Sequence, residues 1–366
     1  MKNSALLILI SSVMFSGSVM AGNPDRAGQA GATELLINPW ARSSGWGGAN
    51  VAGVKGIESF HLNVAGLAFT EKTELVFART EYLVGTDINI NNFGLSQNLG
   101  KGGVLGLSIA SMNLGDIMIT TASQPDGGLG TFSPRFMNIG LAYSKKFSEN
   151  IYGGILFRVI SEAISNVKAQ GFALDAGVQY VTSKDPKSIK KDDIKFGVSV
   201  RNIGADMKYT GPGLSIKGLN PITGIESTTE QRAQAFNLPS LVNIGISYDF
   251  RLDKADNMYN HRLTVAAAFT SNTFSKNQIT VGVEYAFRKV LMLRTGFNYE
   301  EGIFGSVNDY TRQSAFLGYN AGLSLEFPLV STSTTTFALD YSYKPSNPFG
   351  GNHCVGMRIN LGQKID

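Results

Sequence analysis

The sequence predicts an all-β fold, a fourteen-stranded antiparallel transmembrane β-barrel, on three observations. Short segments throughout the chain alternate apolar residues with polar or tiny ones, which gives a strand one greasy face and one polar face. The links between segments alternate short with long, the rhythm of outer-membrane barrels with tight periplasmic turns and larger outer loops. An apolar stretch at the N-terminus reads as a secretory leader.

Bulk properties agree. Apolar residues make up 43% of the chain, yet mean hydropathy is +0.00, so they are dispersed as strands disperse them. After the leader, no stretch reaches the roughly 18 uncharged apolar residues of a membrane helix. The chain has 42 Gly, 22 Phe and 13 Tyr; the aromatics suit girdles at the two membrane interfaces. Its one cysteine, Cys354, excludes an internal disulfide and a thiolate metal cluster. A formal charge of +4 with scattered Lys and Arg excludes a nucleic-acid footprint.

In chain order, Lys2 precedes the apolar run Ala5–Val19, and Val19-Met20-Ala21 forms a small-residue cleavage site. Residues 1–21 are therefore expected to be a signal peptide, with no cysteine after it to carry a lipid anchor. Residues 22–72 do not join the strand rhythm. They are expected to form a plug inside the barrel, the alternative being a periplasmic segment. Trp40, Arg42, Trp46 and Asn50 are the candidate anchors, and Gly45, Gly47 and Gly48 permit tight turns.

The barrel is expected over 73–366. Its strands are predicted at 73–83, 87–98, 103–113, 136–147, 151–160, 171–181, 194–201, 241–250, 261–270, 278–287, 290–299, 315–327, 335–344 and 353–361. In the eighth, Val242, Ile244, Ile246, Tyr248 and Phe250 oppose Asn243, Gly245, Ser247 and Asp249. In the twelfth, Leu317 through Phe327 alternate with Gly318 through Glu326. The short links Leu99–Gly102, Ser148–Asn150 and Arg288–Lys289 mark one end, which places the termini in the periplasm. Thr182–Asp193 and Arg251–Asn260 are longer hydrophilic turns at that same end.

The registers predict lumenal charge pairs: Glu284 opposite Arg294, and Asp340 opposite Arg358, with Glu326 one strand farther round. Cross-strand opposite charges attract, and these read as lumen filling, with a gating or solute-binding role as the alternative. At the long-link end, 202–240 interleaves glycines and prolines with Leu214, Ile216, Leu219 and Ile222. Loops of this length are uncommon unless functional. Those four residues are the candidate partner-facing surface, unless the loop packs only on the rim. The 113–135 link extends its hairpin toward the same surface.

His61, His261 and His353 match no metal spacing, and no nucleophile elbow, zinc-protease motif or phosphate loop is present. No enzyme, metal or cofactor is expected. Outer-membrane lipid is the expected surrounding.

Residues Ile37 to Ala52, INPWARSSGWGGANVA, resemble the opening signature of the PorV/PorQ outer-membrane proteins of the type IX secretion system, PorV more than PorQ. Asn63-Val64-Ala65-Gly66-Leu67 resembles the family's next landmark, with Val64 where that landmark has proline. The resemblance implies a barrel related in fold to the FadL-type transporters. It also implies a non-enzymatic secretion accessory that binds the large translocon barrel and the C-terminal signal domains of secreted cargo, and hands cargo to the PorU-containing attachment complex. The alternative is a FadL-like transporter for hydrophobic solutes, disfavoured because the inward faces read as polar; a passive porin is disfavoured by the plug.

Overall fold

The computed structural model describes residues 24–182, 193–219, 222–253, 260–305, 312, 314–329 and 333–362. The leader expected at 1–21 lies outside these, as does most of the Thr182–Asp193 turn. Alternation produces fourteen barrel strands: β1 Thr73–Tyr82, β2 Ile88–Asn98, β3 Val104–Asn113, β4 Arg135–Lys146, β5 Ile151–Ile164, β6 Val167–Thr182 and β7 Ile194–Gly204 form the first half. The second half is β8 Leu241–Arg251, β9 His261–Asn272, β10 Gln278–Phe287, β11 Leu291–Glu300, β12 Tyr319–Pro328, β13 Thr336–Lys344 and β14 Asn352–Leu361. Each pairs antiparallel with the next, and β1 closes on β14 from Thr73↔Leu361 to Glu81↔His353. Closure leaves no unpaired edge, the condition for crossing lipid with strands. The outward set, including Phe93, Leu141, Phe157 and Leu174, is exposed where acyl chains lie. β1 enters and β14 leaves the barrel at the short-turn, periplasmic end.

Three boundaries depart from the sequence expectation. Residues 315–318 stay outside β12, because Gly318 turns the chain with φ +87° before the ladder begins. β5 and β6 extend into one long hairpin that turns at Ser165 and Asn166, where a loop was expected. β7 continues past Arg201 through a bulge, opposing Arg201 and Asn202 to the single residue Asp175. Asn202 takes φ +57°, a conformation asparagine tolerates, and its N–H donates to Asp175 Oδ1 at 2.7 Å.

Residues 32–70 lie within the barrel as a chain of short helical turns, and the residues before them sit at the rim, where Arg26 Nη2 donates to Asn237 Oδ1 at 3.0 Å. Buried Trp40, Ile57, Phe60, Val64 and Leu67 pack on the inward residues Val76, Val104 and Leu156 of the wall. The inward glycines let backbone meet backbone. A Cβ on Gly296 would stand 2.0 Å from the Trp46 carbonyl oxygen, and one on Gly322 would stand 2.9 Å from Gly45 Cα. Asn63 then pins the plug: its Nδ2 donates to Val178 O at 3.0 Å on the wall, while its Oδ1 accepts from Ala65 N–H and caps the turn that follows. From β1, Glu74 reaches in and accepts the Ile57 N–H at 2.7 Å.

Candidate functional site

The lumen has two unlike walls. Strands β8–β14 turn polar and small residues inward, and their charges are paired below the plug. Glu284 and Arg294 are cross-strand partners, with Arg294 Nε 2.5 Å from Glu284 Oε2 and Arg262 on the other carboxylate oxygen. Arg358 bridges Glu326 at 3.2 Å and Asp340 at 3.6 Å. Asp340 pairs with Gly356 and Ala338 with Arg358, so the Asp340–Arg358 contact is diagonal rather than directly opposite. Lys195 Nζ holds Asp249 at 2.7 Å. Every one of these charges has its counter-charge within reach, as burial demands.

Toward the long-loop end, β2–β4 turn Ile90, Met112 and Phe136 inward beside Leu35 and Ile37 of the plug, while the same strands carry inward Asn92, Ser96, Ser108, Asn138 and Ser144. A cavity of about 40 Å³ lies between them. An apolar cavity that takes up benzene measures about 150 Å³, so a ring enters here only if side chains move. One end of the cavity is polar, formed by Glu34, His61, Asn138 and Arg158. Arg158 donates to Asp175 Oδ2 at 2.8 Å and to Phe60 O at 3.2 Å. Burial, reinforced by the charge of Arg201, holds the His61 pKa well below its ordinary value, so the ring is neutral and its Nδ1 accepts from Arg201 Nη2 at 3.1 Å. Tyr209 donates to Glu162 nearby.

Glu34 differs from its neighbours. Both carboxylate oxygens are buried and neither accepts a hydrogen bond from the protein; Asn138 acts on the carboxylate without closing a bond to it. Burial, with Glu162 adding like charge, pushes this carboxyl up to about 7. The sequence reading did not single out Glu34, Asn138 or Arg158, and it took His61 as an ordinary polar residue. A lone acid inside the apolar run ELLINPW was the available signal for Glu34.

The four residues named as anchors all lie in the plug. Trp40 and Trp46 are buried. Arg42 is half-buried and close enough to act electrostatically on Glu58 and Glu284. Asn50 is buried and its carbonyl accepts the Gly53 and Val54 N–H groups. The loop residues sit elsewhere. Ser215–Leu219 and Glu226–Glu230 form a projecting hairpin on which Ile216 and Leu219 are exposed; Ile222 is exposed near its tip, and Leu214 is half-buried at its base.

A fourteen-stranded barrel closed by its own N-terminal segment is the FadL-like fold of outer-membrane channels. Among solved structures, the chain is similar to the toluene transporter TodX of Pseudomonas putida, at 10% identity, TM-score 0.53, and coverage of 88% of this chain and 97% of that one. It is also similar to the Ralstonia pickettii toluene transporter TbuX (11% identity, 90% and 100% coverage, TM-score 0.48). A Pseudomonas aeruginosa FadL homologue is a third (10%, 87% and 96%, TM-score 0.46). No protein-family model and no curated protein sequence matches the chain. Among the described residues no group of His, Cys, Asp and Glu could hold a metal ion.

The likeness in fold to TodX corrects the assignment to the PorV/PorQ proteins of type IX secretion. With it go the translocon barrel, the cargo signal domains and the PorU-containing complex as partners. The physical reason lies in the signature. Its glycines at 45 and 47 are positions where a Cβ would strike the wall at Gly322 and Asn298, and its tryptophans are plug core. A motif accounted for by packing a plug into a FadL-like barrel says nothing about a secretion partner.

Proposed function

We propose that the protein is an outer-membrane channel for small hydrophobic solutes. The apolar patch of Ile90, Met112 and Phe136 beside the plug carries this reading. Burying apolar area is worth about 25 cal/mol per Å², so an apolar solute entering from water is drawn to Ile90, Met112 and Phe136 rather than to the ion-paired wall opposite. The plug occupies the lumen that a porin would leave to water. The inward positions of β2–β5 are polar or small as well at Asn92, Ser96, Ser108, Asn138 and Ser144, and it is Ile90, Met112 and Phe136 that break that pattern.

TodX is a toluene transporter, which makes toluene the first solute to test. Uptake of radiolabelled toluene is compared in cells carrying and lacking the chain. Faster uptake with the chain is expected; equal uptake in both would remove the proposal.

A further inference from the structure

Most polar groups around the cavity satisfy one another: Arg158 with Asp175, Arg201 with His61 and with Leu35 O, Tyr209 with Glu162. What is left over is specific. Glu34 offers two buried acceptor oxygens and Asn138 a third, while Arg158 keeps one buried donor, its Nε, unused. A buried carboxylate without a closed hydrogen bond is costly, and the Asn138 side chain and the N–H of Glu34 itself offset that cost only in part. The same cavity is apolar at its other end, through Ile37, Met112 and Phe136. Surplus acceptors beside the spare Nε of Arg158, with the Nε of Arg201 also unpaired, in a cavity that is otherwise apolar, describe the complement of a particular kind of molecule.

We propose that this cavity is a binding site for a small apolar solute bearing one hydroxyl, a phenol or an alcohol, whose O–H donates to Glu34 and whose oxygen accepts from Arg158. The proposal rests on the channel reading and deepens it by naming a solute class. A hydroxyl is the simplest head that both donates and accepts. Above pH 7, where Glu34 has released its proton and where the titrations below are run, a carboxylate head is excluded by charge: it brings no donor, and it would sit against Glu34 with Glu162 behind it. A plain hydrocarbon fills the apolar end and leaves the Glu34 oxygens as they are. The present cavity of about 40 Å³ accommodates the head group. The ring follows when Phe136, half-buried at the side, turns away.

The test uses the full barrel, folded in detergent, titrated calorimetrically with toluene, p-cresol and p-toluate, which share a ring and methyl group and differ in the head. One hydrogen bond to a charged group predicts p-cresol binding about tenfold tighter than toluene, with p-toluate weakest. In Glu34→Leu the advantage of p-cresol over toluene is expected to vanish while toluene still binds; partition into micelles, common to both proteins, cancels in the comparison. The ranking on the unaltered protein stands as a test even if that variant does not fold. Equal binding of p-cresol and toluene, or an advantage that survives Glu34→Leu, overturns this inference and leaves the channel reading intact. Binding of none of the three, with no gain in toluene uptake by cells, overturns both.

Discussion

The two walls of this barrel use the same pleat for opposite ends. From β8 to β14 the inward positions hold Asp249, Glu284, Arg294, Asp340 and Arg358, closed into ion pairs, with Gly296 and Gly322 giving the plug a bed of backbone. From β2 to β4 the upper inward positions hold Ile90, Met112 and Phe136, facing a cavity that also carries the unpaired oxygens of Glu34 and Asn138. The charges of the first wall are matched with one another, although Ser247 Oγ and Asn320 Oδ1 find no hydrogen-bond partner. The second has both apolar surface and unmet hydrogen-bonding capacity. A lumen can therefore be sealed on one side and receptive on the other without any change of architecture.

The largest effect is expected on the ion-paired wall. Glu284→Ala leaves Arg294, whose side chain has 0% exposure, without its carboxylate. The expected loss is about 3–5 kcal/mol, read as a lower urea midpoint for unfolding of the detergent-refolded barrel. Loss under 1 kcal/mol would mean that this wall is not held by its charges. Next comes the glycine bed. Gly296→Val forces the plug off the Trp46 carbonyl, at a cost of about 1–3 kcal/mol and with a rise in single-channel current across a planar bilayer. Phe136→Ala, on the receptive wall, is expected to leave the current unchanged, and a matching rise would erase the contrast between walls.

A smaller effect concerns pH. The Glu34 carboxyl sits at about 7 in the folded protein against an ordinary value of 4.5, raised by burial and then by Glu162. Between those values the folded state holds a proton that the unfolded chain has released, so this group's contribution to stability falls as pH rises through that window. Thermal midpoints measured from pH 5 to pH 8 should decline less in Glu34→Gln than in the unaltered barrel; identical slopes would show that Glu34 is already compensated. The smallest effect lies outside the lumen. Ile216→Ser with Leu219→Ser, on the exposed hairpin, is expected to shift stability by no more than about 0.5 kcal/mol.

How much of this was legible follows from what each residue depends on. Alternation at 241–250 or 278–287 is a local property, and it located those strands within a residue of their ends. The adjacent pair Glu284–Arg294 could be placed because a two-residue turn sets its register. Asp340 and Arg358 were misaligned by two positions because a longer link separates them. Glu34, Asn138 and Arg158 come from the plug, β4 and β5, and no spacing in the chain ties them together. The tiny inward residues were visible as a pattern, but a glycine reads the same whether it faces water or the carbonyl of Trp46.

Period-two patterning and turn placement rest on neighbours along the chain, so the sequence alone determined a closed antiparallel barrel, its strand number and its lipid-facing side. Which half of the lumen is sealed, which is apolar, and where a carboxylate is left without a closed hydrogen bond depend on how residues 32–70 thread through that barrel. These are contacts between residues tens to hundreds of positions apart, such as Asn298 with Gly47. Only the tertiary structure could decide them, because burial and hydrogen-bond satisfaction are properties of the packed lumen and not of any one segment.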